Sequence, residues 1–171
     1  HELIFIVMKR ISILFLTLLI SLFVSAQVVE QTYYFDNPVV TEIQLYNQVQ
    51  FENCMQTAVA GNPSLPYKSV SLLLPYGAEA ESVEVILSDF EEISVKSQLF
   101  PYQPARPYSR PERKSFFKNE DVYSSKNIYP SQSHGELTTH YLNGHAFAFT
   151  SFSPVQYEPS TGKVTYAKTA T

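Results

Sequence analysis

The chain holds few residues of the types that chemistry needs. Cys54 is the only thiol among its 171 residues. A nucleophilic cysteine requires a neighbouring base and an electropositive pocket to become a thiolate. Cys54 sits instead in Glu52-Asn53-Cys54-Met55, beside an acid and within no cysteine-protease motif, so it reads as a buried, inert thiol. His134, His140 and His145 are candidate metal ligands. The last two flank an Asn143-Gly144 turn, with no cysteine pair or acidic third ligand nearby, and that spacing suits zinc poorly. No metal site and no cofactor are expected. Glu91-Glu92 is a carboxylate pair, but neighbours on a strand point to opposite faces, which makes it a solvated strand segment rather than an acid/base dyad. There is no phosphate-binding loop and no supported Ser-His-Asp arrangement. The sequence therefore predicts a chain without catalytic residues.

One stretch stands apart. Between Arg106 and Lys118 lie Arg106, Arg110, Arg113, Lys114 and Lys118, interleaved with Pro107 and Pro111. They sit within a longer segment, Phe100 to Pro130, that also holds Pro101 and Pro104 and shows no apolar period. Loops of this length without regular structure are usually functional or disordered. The plain readings are a solvated loop or a cleavage site. Tyr102, Tyr108 and Tyr129 in the same segment, read as exposed, would suit stacking on sugars. That defines an alternative class, a β-sandwich binding or adhesion module of an exported bacterial surface protein. The absence of Trp weakens it.

The elements that would carry these residues are strands. Tyr and Phe are abundant, at 12 each, and charged residues make up only 16% of the chain. Such composition fits pleated, half-buried surfaces. Val28 to Phe35 predicts a first strand. After an Asp36-Asn37-Pro38 turn, Val39 to Phe51 predicts a longer second one, with Ile43, Leu45, Val49 and Phe51 on one face. Val70, Leu72 and Leu74 share a face of a central, largely buried strand. Val83, Val85 and Leu87 alternate next, and Phe90, Ile93 and Val95 follow a Ser88-Asp89 turn, so that Val70 to Lys96 forms a three-stranded unit. His140 to Leu142 leads through Asn143-Gly144, a hairpin dipeptide, to Phe147 and Phe149. Val155 and Tyr157, a loop over Glu158 to Gly162, and Val164 and Tyr166 complete the pattern. Many short strands separated by turn signals predict an all-β, antiparallel β-sandwich of jelly-roll type.

The N-terminus predicts a helical secretory signal peptide. Lys9 and Arg10 form a positive region, Ile11 to Val24 an apolar core, and Val24-Ser25-Ala26 the small residues that precede cleavage, with Gln27 as the first mature residue. His1 to Val7 are extra residues ahead of Met8. The apolar run is short for a spanning helix, and no cysteine follows for lipid attachment, so the membrane is met only through this signal during export. The expected organisation is a signal peptide over 1–26 and one β-sandwich domain over 27–171. Lys163 to Lys168 reads as a strand in progress, so the sequence is expected to be the front of a longer polypeptide, with the domain truncated at its C-terminal end. The chain carries a formal charge of −4, and losing Lys9, Arg10 and Glu2 leaves the remainder more acidic still. That argues against nucleic acid as a partner.

An ordered set of turns and strands carries a resemblance. Gly61-x-Pro63-x-Leu65-Pro66 precedes a strand that ends in Pro75-x-Gly77. Pro101-Tyr102-Gln103-Pro104, Tyr129-Pro130, Tyr141-x-x-Gly144 and Pro154-Val155-Gln156-Tyr157-x-Pro159-x-x-Gly162 follow in turn. This order resembles the propeptide domain of gingipain-like secreted cysteine peptidases of the C25 family, across most of residues 28–171. The resemblance implies a β-sandwich prodomain on a secreted bacterial precursor that passes the periplasm to the cell surface or beyond. Its partner would be a peptidase domain downstream in the same precursor, and the catalytic Cys and His would lie there. It also gives the basic loop a sharper meaning. Gingipain-like peptidases resemble trypsin in preferring Arg or Lys beside the scissile bond. A Pro-stiffened pro-loop that lays one such side chain in the specificity pocket would inhibit. The candidates are Arg110 first, then Arg106, Arg113 and Lys114. Pro follows both Arg106 and Arg110, which would slow cleavage after either.

Overall fold

The computed structural model describes residues 28–105, 109 and 116–171. The predicted signal peptide, its Ala26–Gln27 cleavage site, and Arg106, Tyr108, Arg110, Arg113 and Lys114 lie outside the described residues. Residues 32–171 form one compact unit. Val28–Gln31 belong to a separate N-terminal unit and have no regular secondary structure.

Among its described residues the compact unit is all β apart from one helical turn. Its strands are β1 (Tyr33–Tyr34), β2 (Val39–Ile43), β3 (Tyr46–Gln50), β4 (Met55–Gln56), β5 (Pro66–Leu73), β6 (Leu87–Ile93), β7 (Thr138–Leu142), β8 (His145–Phe152), β9 (Val155–Glu158) and β10 (Lys163–Ala170), and its helix is α1 (Glu120–Tyr123). Two four-stranded antiparallel sheets make a sandwich. In one, β10 pairs with β6 along one edge, and on its other edge with β9 and then β1 end to end. In the other the order is β4-β5-β8-β7. A separate hairpin, β2-β3, lies beside them in sequence.

The sheets share one core because alternate residues of each turn inward. Val70 and Phe152 from one sheet join Ile93, Val155, Tyr157, Val164 and Tyr166 from the other, with Val49, Leu65 and Leu99 fully buried among them. A chain of rings crosses the interior. Phe152 meets Phe35 at 6.0 Å between centroids, Phe35 meets Phe51 at 5.6 Å, and Phe51 meets Tyr166 at 5.5 Å. Edge-on and tilted contacts of this kind suit the aromatic quadrupole. The chain passes from one sheet to the other between β8 and β9, at Ser153-Pro154. The Ser153 hydroxyl accepts from the Val155 N–H at 3.1 Å and donates to the Val155 carbonyl at 3.0 Å, so the buried corner keeps its polar groups satisfied.

Several expected elements differ. The first strand is confined to Tyr33–Tyr34. The long second strand is a hairpin, turned at Gln44-Leu45, with Gln44 at φ 53°; Leu45 sits at the tip, 82% exposed, rather than in the apolar face. Val70 to Lys96 is not a unit, because β5 pairs with β4 and β8 while β6 pairs with β10. Ala78–Ile86 lacks regular structure, and Asp89 (φ 55°) bends within β6 instead of turning the chain. The hairpins β7-β8 and β9-β10 form as the turn residues predict.

Candidate functional site

Among the described residues, the candidate polar side chains do not assemble into a reactive centre. Cys54 is half-buried, and burial pushes its thiol pKa up, with only a smaller opposing pull from Lys68. Its thiolate is thereby disfavoured. The His134 ring nitrogen Nδ1 lies 2.7 Å from the Gly135 carbonyl, and His140 stacks edge-on to Phe149 at 5.4 Å. Among the described residues no three His, Cys, Asp or Glu side chains are grouped to hold a metal. Glu91 and Glu92 are separated by the strand pleat, Glu91 pairing with Lys168 and Glu92 with Lys163 at 3.5 Å. Tyr102 and Tyr129 are half-buried rather than exposed. Tyr102 is tied by backbone bonds to Gly61 and Asn62, and Tyr129 bridges to Tyr157 and packs against the core.

The structure does build a site at the two ends of the basic loop. The extended segment Gly61-Asn62-Pro63-Ser64 runs antiparallel to Phe100-Pro101-Tyr102. Ser64 N–H donates to Phe100 O at 2.8 Å, Tyr102 N–H to Asn62 O at 2.9 Å, and Gly61 N–H to Tyr102 O at 2.8 Å. On the returning side, Asn119 N–H donates to Gly61 O at 2.9 Å, and Asn119 Nδ2 to Asn62 Oδ1 at 2.8 Å. Gly61 and Asn62 are thus held between the outgoing and incoming chains. Gly61 is required here on two counts. Its φ is +78°, a region where a side chain is strained, and an added Cβ would lie 2.5 Å from Phe117 Cε1.

Two further devices close this neck. The Gln103 carboxamide reaches across to Phe117, accepting its N–H at 3.0 Å and donating to its carbonyl at 2.7 Å. Phe116 packs edge-on to Phe100 at 5.1 Å and tilted against Tyr46 at 5.9 Å. Beneath them Asn47 fixes the outgoing chain. Its buried side-chain oxygen accepts from Lys96 N–H, Ser97 N–H and the Ser97 hydroxyl at 2.8, 3.0 and 3.2 Å. Its own backbone bonds Gln98 and Phe100. After the neck, Lys118 pairs with Glu120 at 3.3 Å and lies 5.2 Å from the centre of the Tyr123 ring. Tyr123, at the end of α1, donates to Leu99 O at 2.6 Å.

Sequence reasoning named basic residues within the loop and missed the neck that holds its ends. Gln103 appeared only inside a Pro-Tyr-Gln-Pro turn motif, and Gly61 only as a turn residue. A carboxamide between two prolines, with a Phe-Phe pair at the far end of a basic stretch, carries no periodic signal that would join them.

Comparison with known proteins adds the family. No curated protein matches the chain. Two solved structures share its fold. One concerns the zymogenic latency of gingipain K from Porphyromonas gingivalis, at 19% identity and TM-score 0.61, covering 81% of each chain. The other is a complex of the Porphyromonas gingivalis RgpB pro- and mature domains, at 18% identity and TM-score 0.63, covering 84% of this chain and 80% of that one. The profile of the Propeptide_C25 family matches residues 17–171, nearly the whole chain and all of the sandwich, and the chain belongs to that family.

Proposed function

We propose that the chain is the latency domain of an exported C25 cysteine endopeptidase precursor. After removal of residues 1–26 between Ala26 and Gln27, residues 27–171 fold as one prodomain that assists and then obstructs the peptidase domain following it. The precursor crosses the periplasm and acts at the cell surface or beyond. The domain performs no bond breaking itself; the catalytic Cys and His belong to the downstream domain.

The observation that carries this reading is the neck. A basic, proline-stiffened loop whose ends are pinned at Gln103 and Phe117 suits presentation of one cation to a specificity pocket. Arg110 is the leading candidate, ahead of Arg106, Arg113 and Lys114. A carboxylate at the pocket base would receive the guanidinium in a charge-assisted, two-point bond. Tethering makes modest affinity sufficient. A short linker supplies an effective concentration near ~1 mM, so a contact of about 1 µM leaves roughly one molecule in a thousand open. Linker cleavage drops that concentration to the bulk value and releases the enzyme.

The test is kinetic. The chain is titrated against an Arg- or Lys-specific C25 peptidase. Rates should fall with added chain, and Arg110→Ala should weaken the effect more than Arg106→Ala or Arg113→Ala. Peptidase rates that stay constant at saturating chain would overturn the reading.

A further inference from the structure

We propose that Gln103 is the positioning residue of the basic loop, its carboxamide substituting for a strand partner to close the loop at Phe117; the inference rests on the latency reading above. Gln103 Oε1 accepts the Phe117 N–H at 3.0 Å, and Nε2 donates to Phe117 O at 2.7 Å, Pro101 O at 2.8 Å and Tyr102 O at 3.2 Å. One planar amide thereby makes both bonds that a neighbouring peptide would make to Phe117, and fastens the result to the outgoing chain. The network also fixes which end is which. At Pro101, Tyr102 and Phe117 three carbonyl oxygens share the two hydrogens of the nitrogen and one N–H faces the oxygen, so turning the group over would lose these four contacts.

Only a side chain that donates and accepts in one plane fits. A carboxylate at the same position would keep the acceptor for Phe117 N–H, but would set its second oxygen against the carbonyls of Pro101, Tyr102 and Phe117. The surrounding fold does not depend on it. The Gly61, Asn62, Ser64 and Asn119 backbone bonds and the Phe100–Phe116 ring contact are made by other groups. The consequence falls on the loop. With the neck closed, the entropy of bringing Gln103 and Phe117 together is lost before any peptidase arrives. Preorganisation of that kind appears as tighter binding.

The experiment compares the wild-type chain with Gln103→Glu, which nearly conserves volume. At pH 8 the variant should show roughly tenfold faster exchange of the Phe117 amide and roughly tenfold faster tryptic nicking after Arg113 and Lys114, with its melting temperature little changed. Its inhibition constant toward the mature peptidase should rise about tenfold. Near pH 4, below the ordinary Glu pKa of about 4.3, the protonated carboxyl can donate to Phe117 O again. Protection of the Phe117 amide should partly return, which assigns its loss at pH 8 to the donor that the carboxylate lacks. If Gln103→Glu unfolds, the neutral Gln103→Met should reproduce the pH 8 effects without the acid recovery. Wild-type exchange and nicking in either variant would overturn the closure. Faster nicking with unchanged inhibition would overturn the positioning role. A wild-type chain that fails to slow the peptidase would overturn the latency reading and the positioning role with it, while Phe117 exchange would still report on the neck.

Discussion

Gly61 and Phe117 lie so close that the aromatic ring occupies the space a side chain at Gly61 would need: an added Cβ would sit 2.5 Å from Phe117 Cε1 and 3.1 Å from the Asn119 backbone nitrogen. The two residues are distant in sequence, and their contact joins the turn before β5 to the returning end of the basic loop. Gly61→Ala should therefore be penalised twice, by its positive φ, at about 1–2 kcal/mol, and by displacement of the ring, at roughly 1 kcal/mol more. Gly144 provides the control. It has φ +80° with nothing within 4 Å of an added Cβ, so Gly144→Ala should show the first cost alone. Adding Phe117→Ala to Gly61→Ala should remove the excess. Urea midpoints at constant m-value measure all of these. Equal losses at Gly61 and Gly144 would mean that the ring yields freely.

Asn47 organises the outgoing side of the same neck. It is 4% exposed, and its side-chain oxygen takes two backbone N–H groups and a hydroxyl. Asn47→Ala strands those donors. An unsatisfied buried donor costs about 1–3 kcal/mol, so a total loss of roughly 2–4 kcal/mol is expected. Asn47→Asp keeps the acceptor in place and should lose markedly less. Chemical denaturation at pH 7 distinguishes them, and similar losses in both would show that the amide nitrogen, rather than the oxygen, carries the interaction.

The contrast between two hairpins explains which parts of the fold can be read from the sequence. Asn143 and Gly144 both take positive φ, at 50° and 80°, and Asn-Gly is the dipeptide that suits this conformation; the β7-β8 turn was visible for that reason. Gln44-Leu45 makes an equally tight turn, with Ile43 paired to Tyr46, but neither residue announces it, and the alternation of β2 and β3 runs through it without a break. Pairing between distant segments was hidden for a different reason. β5 and β6 each show a proper strand period, yet nothing local says that they belong to separate sheets. The candidate site was legible only in its chemistry: a run of Arg, Lys and Pro marks a loop, whereas the Gln103–Phe117 and Gly61–Phe117 contacts arise from tertiary packing.

The unmarked turn gives its own prediction. Only the first of its two residues, Gln44, has positive φ, the requirement that favours Gly at the first position of a type II′ turn. Gln44→Gly should relieve local strain of about 1 kcal/mol and return part of it as unfolded-state entropy. The net gain should be about 0.5 kcal/mol, read as a higher urea midpoint. A loss on substitution would show that Gln44 makes compensating contacts.

Tyr123 ties α1 to the neck and sets the behaviour of the domain in alkali. It is buried and donates to Leu99 O at 2.6 Å. Burial raises its pKa well above the ordinary phenol value, with smaller contributions from Tyr157, Tyr46 and Tyr129. For a group whose folded pKa is raised, stability is complete below the unfolded pKa of about 10. Above it the unfolded chain ionises first, and stability falls as pH climbs toward the folded pKa, at up to about 1.4 kcal/mol per pH unit for each such group. Tyr123→Phe should lose about 1–2 kcal/mol at pH 7 through the missing hydrogen bond. Between pH 10 and 11 it should lose stability less steeply than the wild type, so that the two curves converge. Tyr33, Tyr157 and Tyr166, whose pKa values burial also raises, keep a residual slope in the variant. Denaturant titrations from pH 8 to 11, with phenolate absorbance followed in parallel, make the comparison. Curves that stay parallel across that range would show that Tyr123 ionises as readily in the folded chain as in the unfolded one.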